Sequence, residues 1–472
     1  MSNKRGAADL FHIGREAFGW RETRSVTRVV NLRLGAVLFI AAMVALVSPC
    51  YADGVELDAL SKAAAQYHGT PDAGAIYSQC LLATVRYDVS FTPDKTTYVI
   101  TGDIGAMWLR DASAQMRPYL FFAQDPAVRD MVRGVIARSA KNILVDPYAN
   151  AFNRDYQVTE EKFELDSLAY PIVLAWNYWK QTGDTAALTP EVKAAYERAV
   201  FLMEIERDHA RSRYRHRALS GGGAGSPVGY TGMVWTGFRP SDDPAQYGYN
   251  IPANMFASVA LSELQDLESS VWHDATMASE VGMLRDGIMD GINNYGIVYT
   301  PKYGYIYAYE VDGLGHSNLM DDANVPSLLS IPYLGYPADA AIYTNTRRFV
   351  LSSDNPYYYT GKMARGIGSP HTQRGYVWPL ALVMQGLTAE DPKEVADVLT
   401  ELRASDTGDH LMHESFDPND PTKFTRSNFG WACSLYAELV LNRVMGYTSP
   451  LPPTRGGSRR ATTVSLTQAL FR

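Results

Sequence analysis

The sequence has 472 residues, 46% of them hydrophobic and 20% charged, an ordinary balance for a globular chain. With 43 Lys and Arg against 51 Asp and Glu its net charge is −8, which excludes nucleic-acid backbone binding, since that needs clustered basic residues. Three cysteines are too few for a disulfide framework or a thiolate zinc site.

The first element is one to set aside. Arg28 and Arg33 precede the apolar run LGAVLFIAAMVALVSPCYAD, which contains Cys50, Tyr51 and Ala52. A basic stretch, an apolar stretch and a small residue at the cut describe an export signal. The run is too short to favour a permanent membrane span of ~20 residues. Residues 1–52 are therefore expected to be an N-terminal extension with a signal peptide, and the chain to be periplasmic or secreted. Cutting after Ala52 removes seven basic and three acidic residues and takes the net charge from −8 to −12. Cys80 and Cys433 then remain, either as one disulfide or as two buried thiols.

VRYDVSFTPDKTTYVI alternates as a hairpin. Asp125-Pro126 opens the helical run DPAVRDMVRGVIARSAKNIL, a capping residue before proline at the first helical position. LDSLAYPIVLAWNYWKQTG follows as a helix ending at glycine, then a run opened by Thr189-Pro190, then IPANMFASVALSELQDLESSV. IVYTPK and the alternating Tyr303–Val311 read as a second hairpin. RGYVWPLALVMQGL, a run opened by Asp391-Pro392 and FGWACSLYAELVLNRVMG complete about a dozen helical segments. Nothing has a βαβ rhythm and no linker interrupts the series. The expected fold is all-α, a toroid of helix pairs with short hairpins in its loops, spanning 53–446 as one catalytic domain. Residues 447–472, rich in Pro, Gly and Arg, read as a disordered tail.

Polar clusters stand just before several of these helices: GDIGAMWLRD, FRPSDDPAQYGYNIPANMF, LMDDANVPSLL, GIGSPHTQ and HESFDPNDPTKFTRSNFGW. The first gathers Asp103, Trp108, Arg110 and Asp111, which no buried helix wants unless each charge is paired. One acid before a helix is an ordinary cap. Five clusters with Arg, Trp and His point to loops that converge on one pocket. No H-E-x-x-H zinc motif, nucleophile elbow or phosphate loop is present. Asp321-Asp322 is a thin basis for calcium, which takes 6–8 oxygens. Carboxylate chemistry in an aromatic-lined pocket remains, and glycoside hydrolysis asks for that arrangement.

YVITGDIGAMWLRDASAQMRPYL, ILVDPYANAFN, YTGMVWTGFRPSDDPAQYGYNIPANMFA, YEVDGLGHSNLMDDANVPSLLSIPYLGY, RGIGSPHT and HESFDPNDPTKFTRSNFGWACSLYAEL together resemble glycoside hydrolase family 125, in order from about residue 60 to 446. The resemblance implies an (α/α)6 barrel and an exo-α-1,6-mannosidase that inverts configuration and needs no metal or other cofactor. Its substrates would be mannose-terminated oligosaccharides, N-glycan or mannan fragments. Carried over residue by residue, Glu414 matches the general base, and the general acid is Asp242 or Asp243, the other acid tuning it. Trp108, Arg110 and Asp111, with Asp103 close by, match a loop that grips the terminal mannose. His371 and Arg426 are further substrate-binding candidates, with the segment from Tyr247 to Asn254. Two enzyme alternatives stand beside this reading: a glucosidase- or trehalase-like α/α-barrel enzyme, and a calcium-dependent α-mannosidase using Asp321 and Asp322. A glycan-binding protein without activity is the third, though a binder needs no acid–base couple.

Overall fold

The computed structural model describes residues 53–67 and 69–447; the expected signal peptide in residues 1–52 and the expected disordered tail beyond Tyr447 lie outside the described residues. Thirteen α-helices occur among them: α1 (Asp58–Ala64), α2 (Pro71–Ala83), α3 (Leu109–Gln115), α4 (Pro126–Val145), α5 (Leu165–Thr182), α6 (Pro190–Glu206), α7 (Ile251–Ser270), α8 (Ala275–Tyr295), α9 (Ile331–Leu334), α10 (Ala340–Val350), α11 (Pro379–Thr388), α12 (Pro392–Ala404) and α13 (Gly430–Leu439). Six of them close a ring. Helix α3 packs on α5, α5 on α7, α7 on α9, α9 on α11, α11 on α13, and α13 returns to α3. The alternate helices α2, α4, α6, α8, α10 and α12 form the outer members of the pairs, which makes an (α/α)6 barrel.

Burial follows from that placement. Every residue of α3 and of α13 is buried, as suits a helix covered on all sides, whereas α12 buries only Val395, Val398 and Leu402, a single stripe. The outer helices begin as the sequence says they should. The carboxylate of Asp125 accepts the N–H groups of Ala127 and Val128, and Thr189, Asp274, Asp339 and Asp391 cap α6, α8, α10 and α12 in the same way.

The expected hairpins form, Val89–Phe91 with Thr97–Val99 and Ile297–Thr300 with Gly304–Tyr307. The second is shorter than its alternation suggests, because Glu310–Val311 turns away to pair with Tyr249–Asn250 and Ser317–Asn318. The segment RGYVWPLALVMQGL is helical only from Pro379, since Val377 is bridged to Phe416 as extended chain. Cys80 and Cys433 are free thiols, both buried, which decides between the two alternatives left by the sequence. Among the described residues no helix is long and apolar enough to cross a membrane.

Candidate active site

The loops that lead into the inner helices surround a pocket of about 590 Å3. It brings together Trp108, Arg110, Asp111, Asp242, His371, Glu414 and Arg426 from the sequence-derived set, with Trp378, Phe429 and Trp431 as aromatic walls. Asp103 and Asp243 are set just behind this lining. The N-terminal ends of α3, α11 and α13 face the pocket, and the partial positive charge of a helix start favours carboxylates there.

Trp108 occupies the N-cap position of α3 but caps nothing. It is held as extended chain against Ala151, and Leu109 donates its N–H to the carbonyl of Asn150. Its buried indole N–H has no protein acceptor among the described residues, which leaves a donor for a sugar hydroxyl. Arg110 is placed differently from a simple sugar grip. Its guanidinium is 3% exposed and donates to Asp111 (3.1 Å), Glu164 (2.7 Å), Asp166 (3.4 Å) and Asp242 (3.0 Å). Asp111 is fixed from its other oxygen by the Thr101 hydroxyl at 2.6 Å.

Asp242 lies at φ +63°, in the left-handed region, on a loop anchored by the buried bidentate pair of Arg239 and Glu310. That region costs most residues about 1–3 kcal/mol, with Asp among those that tolerate it best. Burial pushes the Asp242 carboxyl up; Arg110, the contact with Glu164 and Lys162 outweigh this and hold it well below the usual carboxylate range. Asp243 faces the other way. One oxygen accepts the Ser241 hydroxyl at 2.9 Å and the other stands 3.6 Å from His371 Nδ1. That contact lifts the His371 imidazole to about 9, so a charged ring faces the pocket at neutral pH. The two adjacent acids, indistinguishable in the sequence, thus differ in place: Asp242 lines the pocket and Asp243 supports His371.

Glu414 enters the same pocket from another loop, at the start of a hairpin in which Ser415–Asp417 pairs with Asp420–Thr425. The sequence reads this stretch as loop, since Pro418 and Pro421 demote a strand. Its pairing sets Arg426 beside Glu414, Nη1 to Oε1 3.7 Å. Arg426 also donates to Asp103 at 2.7 Å and to the Thr101 carbonyl at 2.8 Å. Asp103 can reach it because Gly102, at φ +102°, lies where a Cβ would meet the Asn428 carbonyl at 2.1 Å. Asp103 and Arg426 therefore form a chain that ends on Glu414 and orients it.

Three residues of the site carry no clear signal in the sequence. Glu164 and Asp166 open α5 and read as ordinary first-turn acids, yet Glu164 makes no capping bond and turns to Arg110. Asn150 accepts the Lys162 N–H and points its amide at Glu164 (3.2 Å) and Asp242 (3.5 Å). Of the acids considered for calcium, Asp321 is engaged on both oxygens and Asp322 on one. Both oxygens of Asp321 accept backbone N–H groups, of Leu328 and Leu329, and Asp322 binds Asn324. A separate acid group, Glu197, Glu268 and Asp274, surrounds the ammonium of Lys193 away from the pocket.

Comparison with known proteins agrees with this geometry. The family model described as metal-independent α-mannosidase (GH125) matches residues 70–441. The meiotically up-regulated gene 157 protein of Schizosaccharomyces pombe is 38% identical over 418 residues, 79% of this chain and 82% of that one. A structure from Streptococcus pneumoniae, of a metal-independent α-mannosidase in a non-productive complex with α-1,6-mannobiose, matches with TM-score 0.78 and 41% identity, over 83% of this chain and 97% of that one. A bacterial glucoamylase complexed with acarbose shares the fold alone, with TM-score 0.52 and 12% identity over 81% of this chain and 56% of that one.

Proposed function

This chain belongs to glycoside hydrolase family 125 and is an exo-acting, inverting α-mannosidase, and from that premise we propose that it releases terminal α-1,6-linked mannose with Asp242 as general acid and Glu414 as general base. The observation that carries the assignment is the pocket itself, whose lining holds three carboxylates, Asp111, Asp242 and Glu414; Asp111 is held on both oxygens by Arg110 and the Thr101 hydroxyl, which leaves Asp242 and Glu414, from separate loops, for the chemistry. In the forward reaction Glu414 takes a proton from water as that water attacks the anomeric carbon. Asp242 gives a proton to the departing glycosidic oxygen. Glu414 is aimed by Arg426, and Arg426 in turn by Asp103. Trp108, Asp111 and the charged His371 supply hydroxyl contacts, while Trp378 and Trp431 offer flat faces to the ring. A pocket walled by loops suits a chain end better than the middle of a polymer, and mannose-terminated oligosaccharides are the substrates this supports. The basic, apolar and small-residue pattern before Asp53 supports export to a periplasm or the medium.

One experiment reads linkage, stereochemistry and metal together. Proton NMR follows α-1,6-, α-1,3- and α-1,2-mannobiose with enzyme in EDTA. The expected result is β-mannose appearing first, and from the α-1,6 isomer. Initial α-mannose, a preference for another linkage, or activity restored only by calcium each contradicts part of the reading.

A further inference from the structure

At one wall of the pocket four carboxylates surround one guanidinium; Arg110, Asp111 and Asp242 are in the lining, and Glu164 and Asp166 lie behind it. Asp111 and Arg110 come from α3, Glu164 and Asp166 from the start of α5, and Asp242 from the loop before α7. Lys162 adds one cation on the same side, itself bound to Glu160, and His371 faces Asp242 across the pocket. Three buried carboxylates and the partly exposed Asp242 crowd one buried cation, an arrangement that favours proton uptake by one of the acids at neutral pH. The question is which.

The hydrogen bonds around Glu164 single it out. It is 1% exposed, and its carboxyl group stands beside that of Asp242, since the same two side chains donate to both. Two donors straddle the pair: the Arg110 guanidinium donates to both, and so does the Asn150 amide, which its bond from Lys162 N–H holds in one orientation. Ser167 donates a further bond to Glu164 at 3.0 Å. Two carboxyl groups held side by side repel when both are ionised, and a proton on one of them relieves that repulsion.

We infer that Glu164 stores the proton that Asp242 delivers to the glycosidic oxygen, the two carboxyls acting as one acid with a reservoir out of the water's reach. The inference rests on the mannosidase reading above. Burial and the neighbouring Asp242 charge hold Glu164 well above the usual carboxylate range, while Arg110 and Lys162 keep Asp242 low. As the glycosidic C–O bond breaks, its electron pair stays on the leaving oxygen, which takes a proton from Asp242. The Glu164 O–H bond breaks as a new Asp242 O–H bond replaces it. Water adds to the anomeric carbon and its proton passes to Glu414. That proton then leaves to solvent and one from solvent restores Glu164, so the cycle balances as hydrolysis. Glu164 touches no substrate and is a positioning residue for the acid.

The test compares leaving groups. Glu164→Gln keeps the shape and the neutral charge but has no proton to lose. It is expected to lower kcat/KM for α-1,6-mannobiose by about 10²-fold, the scale of a lost general acid. A dinitrophenyl α-mannoside, whose leaving group needs no proton, should lose far less. The basic limb of the mannobiose pH profile should move to lower pH, because Asp242 beside Arg110 must then be protonated alone. Glu164→Asp retains a proton on a shorter arm and should keep the basic limb near its wild-type position, which preserves the test if the glutamine variant fails to fold. Equal losses on both substrates with an unmoved pH profile would show a purely structural role and overturn the inference. Wild-type enzyme that leaves every mannobiose uncut would instead overturn the mannosidase reading, and the inference with it.

Discussion

The outer and inner helices of the barrel begin in two different ways. Five outer helices start on Asp or Thr side chains that accept the free N–H groups of their first turn. Four inner ones, α3, α5, α11 and α13, start on Trp108, Glu164, Trp378 and Phe429, none of which makes a capping bond. Three of those four residues line the pocket, and the fourth lies directly behind it. A cap contributes about 0.5–2 kcal/mol, so its absence from most of one ring is a measurable sacrifice. Helices α3 and α13 are held by burial along their whole length, and the starts of these inner helices are free to present chemistry. Inner α9 also starts, on Ser330, without a capping bond; α7 is the inner exception, with Asn250 capping Ala253 and its functional acid Asp242 further upstream, and α2, which starts on Thr70 without such a bond, is the outer one.

The comparison breaks most visibly at Asp242. Asp242→Asn should lower kcat for mannobiose on the order of 10²–10⁴-fold, and less for an activated aryl mannoside. Asp243→Asn should show the milder defect of a support. Equal effects of the two would erase the distinction drawn between them.

Arg110 is the next largest effect, and it concerns stability. Arg110→Met leaves four carboxylates without their shared cation, and breaking a buried pair costs about 3–5 kcal/mol. Urea denaturation at neutral pH should show that loss, and lower pH should recover part of it as the carboxylates take up protons. An outer cap gives the smaller contrast. Asp125→Ala should cost about 0.5–2 kcal/mol and leave kcat of the folded enzyme unchanged.

The smallest effect is a titration. His371 is raised to about 9 by Asp243, so its folded value exceeds an unfolded value of about 6.5. Its contribution to stability is therefore complete below the unfolded value and is lost as pH rises through about 9. Imidazole proton resonances should report that midpoint in wild type and fall toward the ordinary range in Asp243→Asn.

Much of this was open to a reader of the sequence, and the limits have physical reasons. Outer caps, helix ends at Gly183 and the two alternating hairpins are local signals, and they appear where expected. Trp108, Asp242, Glu414 and His371 stand out because charge and aromatic rings gathered before helices have few structural explanations. Asn150 and Glu164 do not, since an amide after a turn and an acid in a first turn are common. Only the folded chain shows that they converge on Asp242 from 92 residues away in one case. The same is true of Arg110, whose sequence neighbours suggest a sugar grip while its partners at 164, 166 and 242 make it an anchor for the acid.

The most direct test of the account is Glu414→Gln, assayed for turnover of α-1,6-mannobiose and for binding of the same disaccharide by calorimetry. Removing the proton acceptor while keeping its shape should lower kcat on the order of 10²–10⁴-fold and leave the binding constant nearly unchanged. Near-normal turnover in that variant would contradict the assignment of Glu414 as the base that works with Asp242 in this pocket.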